Sequence, residues 1–314
     1  MEQNDLTVRP LAGRSELDLF LTLPYVRNDE LATDLDEGRR RPEWMWLALR
    51  GDRVLARLAW WTTTGADEPK MLDILDVDDD APAAERVDIG ARLLRTAIDA
   101  TLPAGTTPPE YIRFVPADWR DTAATRQVVE DRMAVLERAG ARLLVERLSL
   151  EWRPGTPVPP PAGRLVFRQV EDTEELLTAM TRVVHGTLDA HDVAALTHMS
   201  PREAAVQLYE EYLKTLPSPR GWWRLAALPD GELVGFVLPG RNDYNAVISY
   251  IGVVPEHRGH GYINDLLAEG TRILAEQGVP RIRAATDLGN VPMANAFRRA
   301  GYVSEQHTVN MVWD

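Results

Sequence analysis

The residues best suited to chemistry lie in a short stretch of the second half. Pro255-Glu256-His257-Arg258-Gly259-His260-Gly261-Tyr262 follows a β-branched apolar run, Val247-Ile248-Ser249-Tyr250-Ile251-Gly252-Val253-Val254. After it, Ile263, Leu266, Leu267, Gly270, Ile273 and Leu274 recur at helical spacing. The order is strand, glycine-rich loop, helix. The first turn of a helix leaves backbone N–H groups unpaired, and two glycines let the chain turn without Cβ atoms in the way. Those donors then point into one concavity at the positive end of the helix dipole, a place for a phosphate or diphosphate. Arg258 would add a side-chain charge of the right sign.

Other phosphate loops fit less well. A P-loop needs Gly-Lys-Ser/Thr, whereas Gly261 is followed by Tyr262-Ile263; a dinucleotide fingerprint needs a third glycine where Asn264 stands. Acid–base candidates nearby are Tyr250, Asp243 and Asp287, together with a cluster of Asp189, His191 and Asp192. Each also has a plainer reading as strand packing, solvated surface or helix cap. His257-x-x-His260 has metal-ligand spacing but no third ligand in view, so no metal is expected. Cysteine is absent, which excludes disulfides and a cysteine acyl-enzyme.

The elements that must position these residues follow from pattern. The helix after the loop should end at Gly278, because Pro280 forbids continuation. Arg281 to Asp287 reads as a strand, and Asn290 to Tyr302 as a short helix with Met293, Ala296, Phe297 and Ala300 on one face. A proline-rich run at 154–163 lacks backbone donors and reads as a stiff linker between residues 1–153 and 164–314. The halves resemble each other. With one shift of 161 residues, Arg138-Ala139-Gly140 falls on Arg299-Ala300-Gly301, and Leu148, Leu150 and Trp152 fall on Val309, Met311 and Trp313. Each half should therefore close with its own half-buried strand. The first half lacks the arginine-glycine loop. Asp76, Asp78, Asp79 and Asp80 stand where it belongs, so this half is expected to bind no coenzyme and to brace the other lobe, wall its substrate cleft or serve stability alone.

Composition bounds the rest. Hydrophobic residues at 45% and charged ones at 26% indicate an ordinary globular chain. A net charge of -13 argues against binding to nucleic acid or anionic lipid. No stretch is apolar enough to span a membrane and no signal peptide is evident, so a soluble cytoplasmic protein is expected.

Val253 to Gly261, the helix after it, and Asn290…Ala296-Phe297-Arg298-Arg299-Ala300-Gly301-Tyr302 resemble the GCN5-related N-acetyltransferase (GNAT) superfamily. The resemblance covers 164–314 well and the first half in outline. It implies an α/β (α+β) fold of two tandem GNAT-like lobes, each a mixed bent sheet flanked by helices. Acyl-CoA would be wedged where two central parallel strands splay. The pantetheine arm would pair with Ile251, Gly252 and Val253. The diphosphate would lie on the loop formed by Arg258, Gly259, His260, Gly261, Tyr262, Ile263 and Asn264, and Asn290 and Phe297 would contact the coenzyme. Two positions depart from the family pattern. Ile263 replaces a small residue at the end of the loop, and Phe297 stands where a tyrosine often protonates the departing thiolate. The helical region from Leu176 to Leu216 would act as a substrate lid.

The implied activity is transfer of an acetyl group from acetyl-CoA to the primary amine of a small molecule. Transfer would be direct, in a ternary complex, with Tyr250, Asp243 or Asp287 as catalytic groups and Asp189, His191 and Asp192 on the substrate. A mycothiol synthase-like acetyltransferase, which shares the two-lobe layout, is one alternative. A non-catalytic acyl-CoA-binding or regulatory protein, favoured by Phe297 and Ile263, is another. Oligomeric state is left open.

Overall fold

The computed structural model describes residues 6–314. Met1 to Asp5, the polar start of the chain, lie outside the described residues. The chain forms two compact units, one running to Val145 and including Thr308–Asp314, the other Glu146–His307.

The first unit contains β1 (Thr7–Pro10), α1 (Leu17–Phe20), α2 (Leu31–Asp36), β2 (Met45–Arg50), β3 (Arg53–Trp61), β4 (Met71–Val77), α3 (Ala83–Thr101), β5 (Tyr111–Pro116), α4 (Ala123–Arg138) and the start of β6 (Ala141–Trp152). The β2–β3 hairpin turns at Gly51, whose φ of 59° suits a residue without a Cβ. Strands β1 to β4 are antiparallel neighbours, and β4 meets β5 in parallel at a single position, Leu72↔Tyr111. α4 starts where Thr122 caps the Thr125 amide.

The second unit contains the rest of β6, β7 (Val166–Gln169), α5 (Thr173–Val183), α6 (Ala190–Ala195), α7 (Pro201–Glu211), β8 (Arg224–Ala227), β9 (Leu233–Arg241), β10 (Ala246–Val253), α8 (Tyr262–Ala275), β11 (Ile282–Asp287), α9 (Val291–Arg299) and the start of β12 (Val303–Trp313). Its strand order is β6-β11-β10-β9-β8-β7. All neighbours are antiparallel except β10 and β11, which run parallel and pair only at Ala246↔Ile282 and Val247↔Arg283. Beyond Val247 the two strands part.

The repeat is real, but its last strands are exchanged. Leu148, Leu150 and Trp152 belong to the core cluster of the second unit, with Val237, Leu266 and Ile282. Val309, Met311 and Trp313 belong to that of the first, with Trp60, Leu72 and Tyr111. The compact units therefore differ from the expected division into 1–153 and 164–314. Alternation marks which face of a strand is buried and carries no information about which sheet it enters. The proline-rich segment forms neither helix nor strand, and Val158 packs on the second unit's core. Among the described residues no helix is long and apolar enough to cross a membrane.

Candidate active site

The parting of β10 and β11 opens a cavity of about 430 Å³ inside the second unit. One wall is the edge of β10. Register against β9 shifts between Ile248 and Tyr250, so Ser249 sits in a bulge that turns the strand where it leaves β11. Tyr250, Ile251, Gly252 and Val253 follow along the wall. Gly252 is required here, since a Cβ would lie 2.2 Å from Val183 Cγ1 at the end of α5.

The glycine loop forms the next side. Gly259 and Gly261 take φ of 81° and 77°, a left-handed geometry that favours glycine. The amides of Gly259, His260 and Gly261 donate to no backbone acceptor among the described residues. Tyr262 and Ile263, in the first turn of α8, add the orphan donors of a helix start. Gly259, Gly261, Tyr262 and Ile263 line the cavity, and the side chain of Ile263 packs against the core.

Arg258 lines the cavity as well, but its guanidinium is held by backbone carbonyls. Its Nε donates to the Val253 carbonyl at 3.1 Å, Nη1 to those of His185 and Gly186 at 2.8 and 3.0 Å, and Nη2 to that of Val183 at 2.6 Å. The guanidinium thus ties the end of α5 to β10. His260 lies outside the cavity and stacks on Tyr262, ring centroids 5.9 Å apart. Asn264 also lies outside, donating to the Gly261 carbonyl at 2.9 Å and accepting from Arg299 at 3.0 Å, so it braces the loop. Asn290 and Phe297 do line the cavity. Asn290 also caps α9 through the Met293 amide, and Phe297 packs edge-on against Tyr302 at 5.1 Å.

The remaining wall is the segment joining α5 to α6, which contributes Thr187, Leu188 and Asp189, together with Asp192 in the first turn of α6. Asp189 caps α6, accepting from the amides of His191 and Asp192 at 3.0 and 3.3 Å. Asp192 is half-buried and makes no ion pair among the described residues; Thr187 donates to its Oδ2 at 3.2 Å, and the Tyr250 hydroxyl lies 3.5 Å from the same oxygen. Burial, then the charge of Asp189, pushes the Asp192 carboxyl up to about 6. Burial also pushes the Tyr250 phenol well above its ordinary value, which keeps it protonated.

Two of the expected catalytic groups fall elsewhere. Asp243 is exposed in the turn between β9 and β10 and does not reach the cavity. Asp287 is buried behind the wall, where Oδ2 accepts from the Ala190 amide at 2.5 Å and Oδ1 faces Arg147 Nε at 2.9 Å. His191 likewise does not line the cavity. Asp189, His191 and Asp287 bring potential ligand atoms within 4.8 Å of one another, and Arg147 is the cation that bridges the two carboxylates.

Arg147 itself escaped the sequence analysis. It lies before the proline-rich segment and enters this site only because β6 pairs with β11, Arg147 opposite Asp287. Thr187 was missed as well, and nothing in its neighbourhood sets it apart from an ordinary helix-flanking hydroxyl.

Comparison with known proteins agrees with this geometry. Residues 188–302 match the family described as "Acetyltransferase (GNAT) family". Among solved structures, a GCN5-related N-acetyltransferase from Sphaerobacter thermophilus is 17% identical, with 99% of this chain and 96% of that one covered and a TM-score of 0.59. A tandem GNAT protein from the clavulanic acid biosynthesis pathway is 19% identical over 98% of each chain, TM-score 0.52. A glucosamine N-acetyltransferase region of a fungal GH3 β-N-acetylglucosaminidase is 15% identical, with 98% of this chain and 38% of that one covered and a TM-score of 0.55. The strand, loop and helix of the second unit define a GNAT domain. Residues 188–302 are thus similar to the GNAT acetyltransferase family, and the whole chain shares the fold of two-lobed GNAT proteins.

Proposed function

We propose that the second unit binds acetyl-CoA along the free edge of β10 and transfers its acetyl group directly to the primary amine of a small molecule. The observation that carries this reading is one cavity lined both by Gly259 and Gly261, whose amides have no backbone acceptor among the described residues, and by a carboxylate, Asp192, with no ion-pair partner among them. Acetyl-CoA would supply the activated thioester.

The chain's own residues then have separate tasks. Amides of the loop and of the first turn of α8 hold the diphosphate, helped by the helix dipole rather than by Arg258. The edge of β10 from Ile251 to Val253 offers backbone groups to the pantetheine arm. An amide at the Ser249 bulge stabilises the oxyanion as the thioester carbonyl is attacked. Asp192 takes the proton of the incoming ammonium, a task suited to a carboxyl whose pKa has risen toward neutrality. The amine nitrogen bonds to the carbonyl carbon, the C–S bond breaks, and the nitrogen's second proton passes to water, which in turn protonates the departing thiolate. Phe297 has no proton to offer, so the thiolate takes one from water, which a leaving group with a pKa of roughly 8.5 permits.

Calorimetric titration with acetyl-CoA, followed by thiol release over a panel of amines, tests this. Heat of binding and turnover on at least one primary amine are expected. Lack of binding overturns the reading. Tight binding without turnover on any amine would make the protein a sensor of acyl-CoA, the alternative that Phe297 favours.

A further inference from the structure

Arg147 and Asp192 together describe an acceptor more specific than an amine. Arg147 spans two aspartates, with Nε 2.9 Å from Asp287 Oδ1 and Nη2 3.1 Å from Asp189 Oδ2. Nη2 donates a hydrogen bond to Asp189, whereas the Nε contact with Asp287 is an ion pair without hydrogen-bond geometry. Nη1 has no partner among the described residues, and Arg147 lines the cavity with 23% of its side chain accessible.

The aspartates nearby are almost all satisfied. Asp287 is met by Arg147 and the Ala190 amide, and Asp189 by Arg147 and the amides of His191 and Asp192. Two groups on this part of the wall keep unused capacity: the carboxylate of Asp192, which has no ion pair among the described residues, and the Nη1 donors of Arg147, whose charge is already met by Asp189 and Asp287. Both residues line the same cavity.

We infer that the acceptor is an amino-carboxylate, its ammonium set against Asp192 and its carboxylate on the free edge of Arg147. The inference rests on the acetyl-transfer reading above. A planar guanidinium fork matches a carboxylate in two parallel hydrogen bonds, which a lysine in its place would not reproduce. A purely cationic acceptor would satisfy Asp192 and leave the guanidinium edge unused. The acceptor's carboxylate takes no part in bond making; it fixes the distance between nitrogen and thioester carbon. Arg147 is thus a specificity-determining residue.

The test uses the full chain with acetyl-CoA and matched acceptors: an α-amino acid, its primary amide and the corresponding decarboxylated amine, across several side chains. The acid is expected to exceed its amide in kcat/KM by about tenfold or more, as loss of a bidentate charged contact implies. Arg147→Lys is expected to shrink that preference to about twofold, since the point charge remains without the fork, with the heat of acetyl-CoA binding little changed. Amides or plain amines that match the acids in the unaltered protein overturn the inference and leave acetyl transfer standing. So does a failure of every amino acid to turn over or to bind the acetyl-CoA complex. Loss of acetyl-CoA binding by the unaltered protein would instead overturn the reading beneath it.

Discussion

Each unit contains a parallel strand pair that parts almost at once, and the two gaps are filled in opposite ways. In the second unit β10 leaves β11 beyond Val247↔Arg283, and the space is a cavity edged by unpaired backbone. In the first unit β4 and β5 pair only at Leu72↔Tyr111, and the space between them takes up side-chain charge. Asp76 on β4 is fully buried, with Arg57 and Arg113 at 2.8 and 2.9 Å and Arg132 at 3.7 Å. Arg113 of β5 also reaches the Leu75 carbonyl on β4 at 3.1 Å. The acidic run does not gather as unscreened like charge, as its sequence suggests, because Asp78 pairs with Arg53 and Asp79 with Arg132. A second cavity, of about 440 Å³, lies against β5 and α4, lined mainly by apolar side chains including Phe114, Val115 and Val128. A splayed pair is a property of the backbone; whether it becomes a ligand site depends on a few side chains facing the gap.

The largest effect that would sharpen this contrast is expected at Asp192. Asp192→Asn removes the base and should lower kcat/KM by about 10²–10⁴-fold. In the unaltered protein kcat/KM should rise through one ionisation near pH 6, since the carboxylate form acts and protonation removes it. Stability should move the other way. The folded-state pKa is raised, so ionisation at neutral pH opposes folding, and the same variant should gain about 1 kcal/mol near neutrality in chemical denaturation.

Asp76→Asn should do the reverse, breaking the first unit without touching the chemistry. Three arginines would share a neutral partner in a buried site, a loss of about 3–5 kcal/mol in denaturant unfolding. Burial alone would raise the Asp76 carboxyl, but Arg113, Arg57 and Arg132 outweigh it and hold its pKa below the ordinary value. Its contribution is therefore present above the unfolded-state pKa and is lost as pH falls through the lower folded value. A stability unchanged by this variant would mean that the charge network is incidental to the fold.

Gly252→Ala should cost about 1–3 kcal/mol and weaken acetyl-CoA binding, because the new Cβ drives Val183 away from the edge of β10. Arg258→Ala is expected to have the smallest effect on coenzyme affinity, within about threefold, since four backbone carbonyls already engage the side chain. Amide hydrogen exchange at 184–192 should accelerate in that variant, reporting the loosened wall. A large, salt-dependent loss of coenzyme affinity would restore Arg258 as a phosphate ligand.

Local signals were legible where chemistry and backbone geometry coincide. The two glycines, the apolar strand before them and the amphipathic helix after them point to one loop, and Gly259 and Gly261 adopt the left-handed backbone that such a turn needs. Asn290 was reached only through the family resemblance; its place as the cap of α9 ahead of Pro292 came from the structure. Among the charged groups only partners decide the role. Arg258 looks like a phosphate ligand until four carbonyls are seen around it, and Asp192 looks like a helix cap until Asp189 is found in that place.

By itself the sequence determined the strand–loop–helix core of the second unit, the repeat of that plan in both halves and the lack of a glycine loop in the first. Those features are written in neighbouring residues, through periodicity, glycine geometry and helix ends. Tertiary structure alone decided that the closing strands change places, that Arg147 therefore reaches the second unit's cavity, and which of several aspartates keeps an unpaired charge. Pairing between strands and the pKa of a carboxyl are set by groups distant along the chain, and no local pattern encodes them.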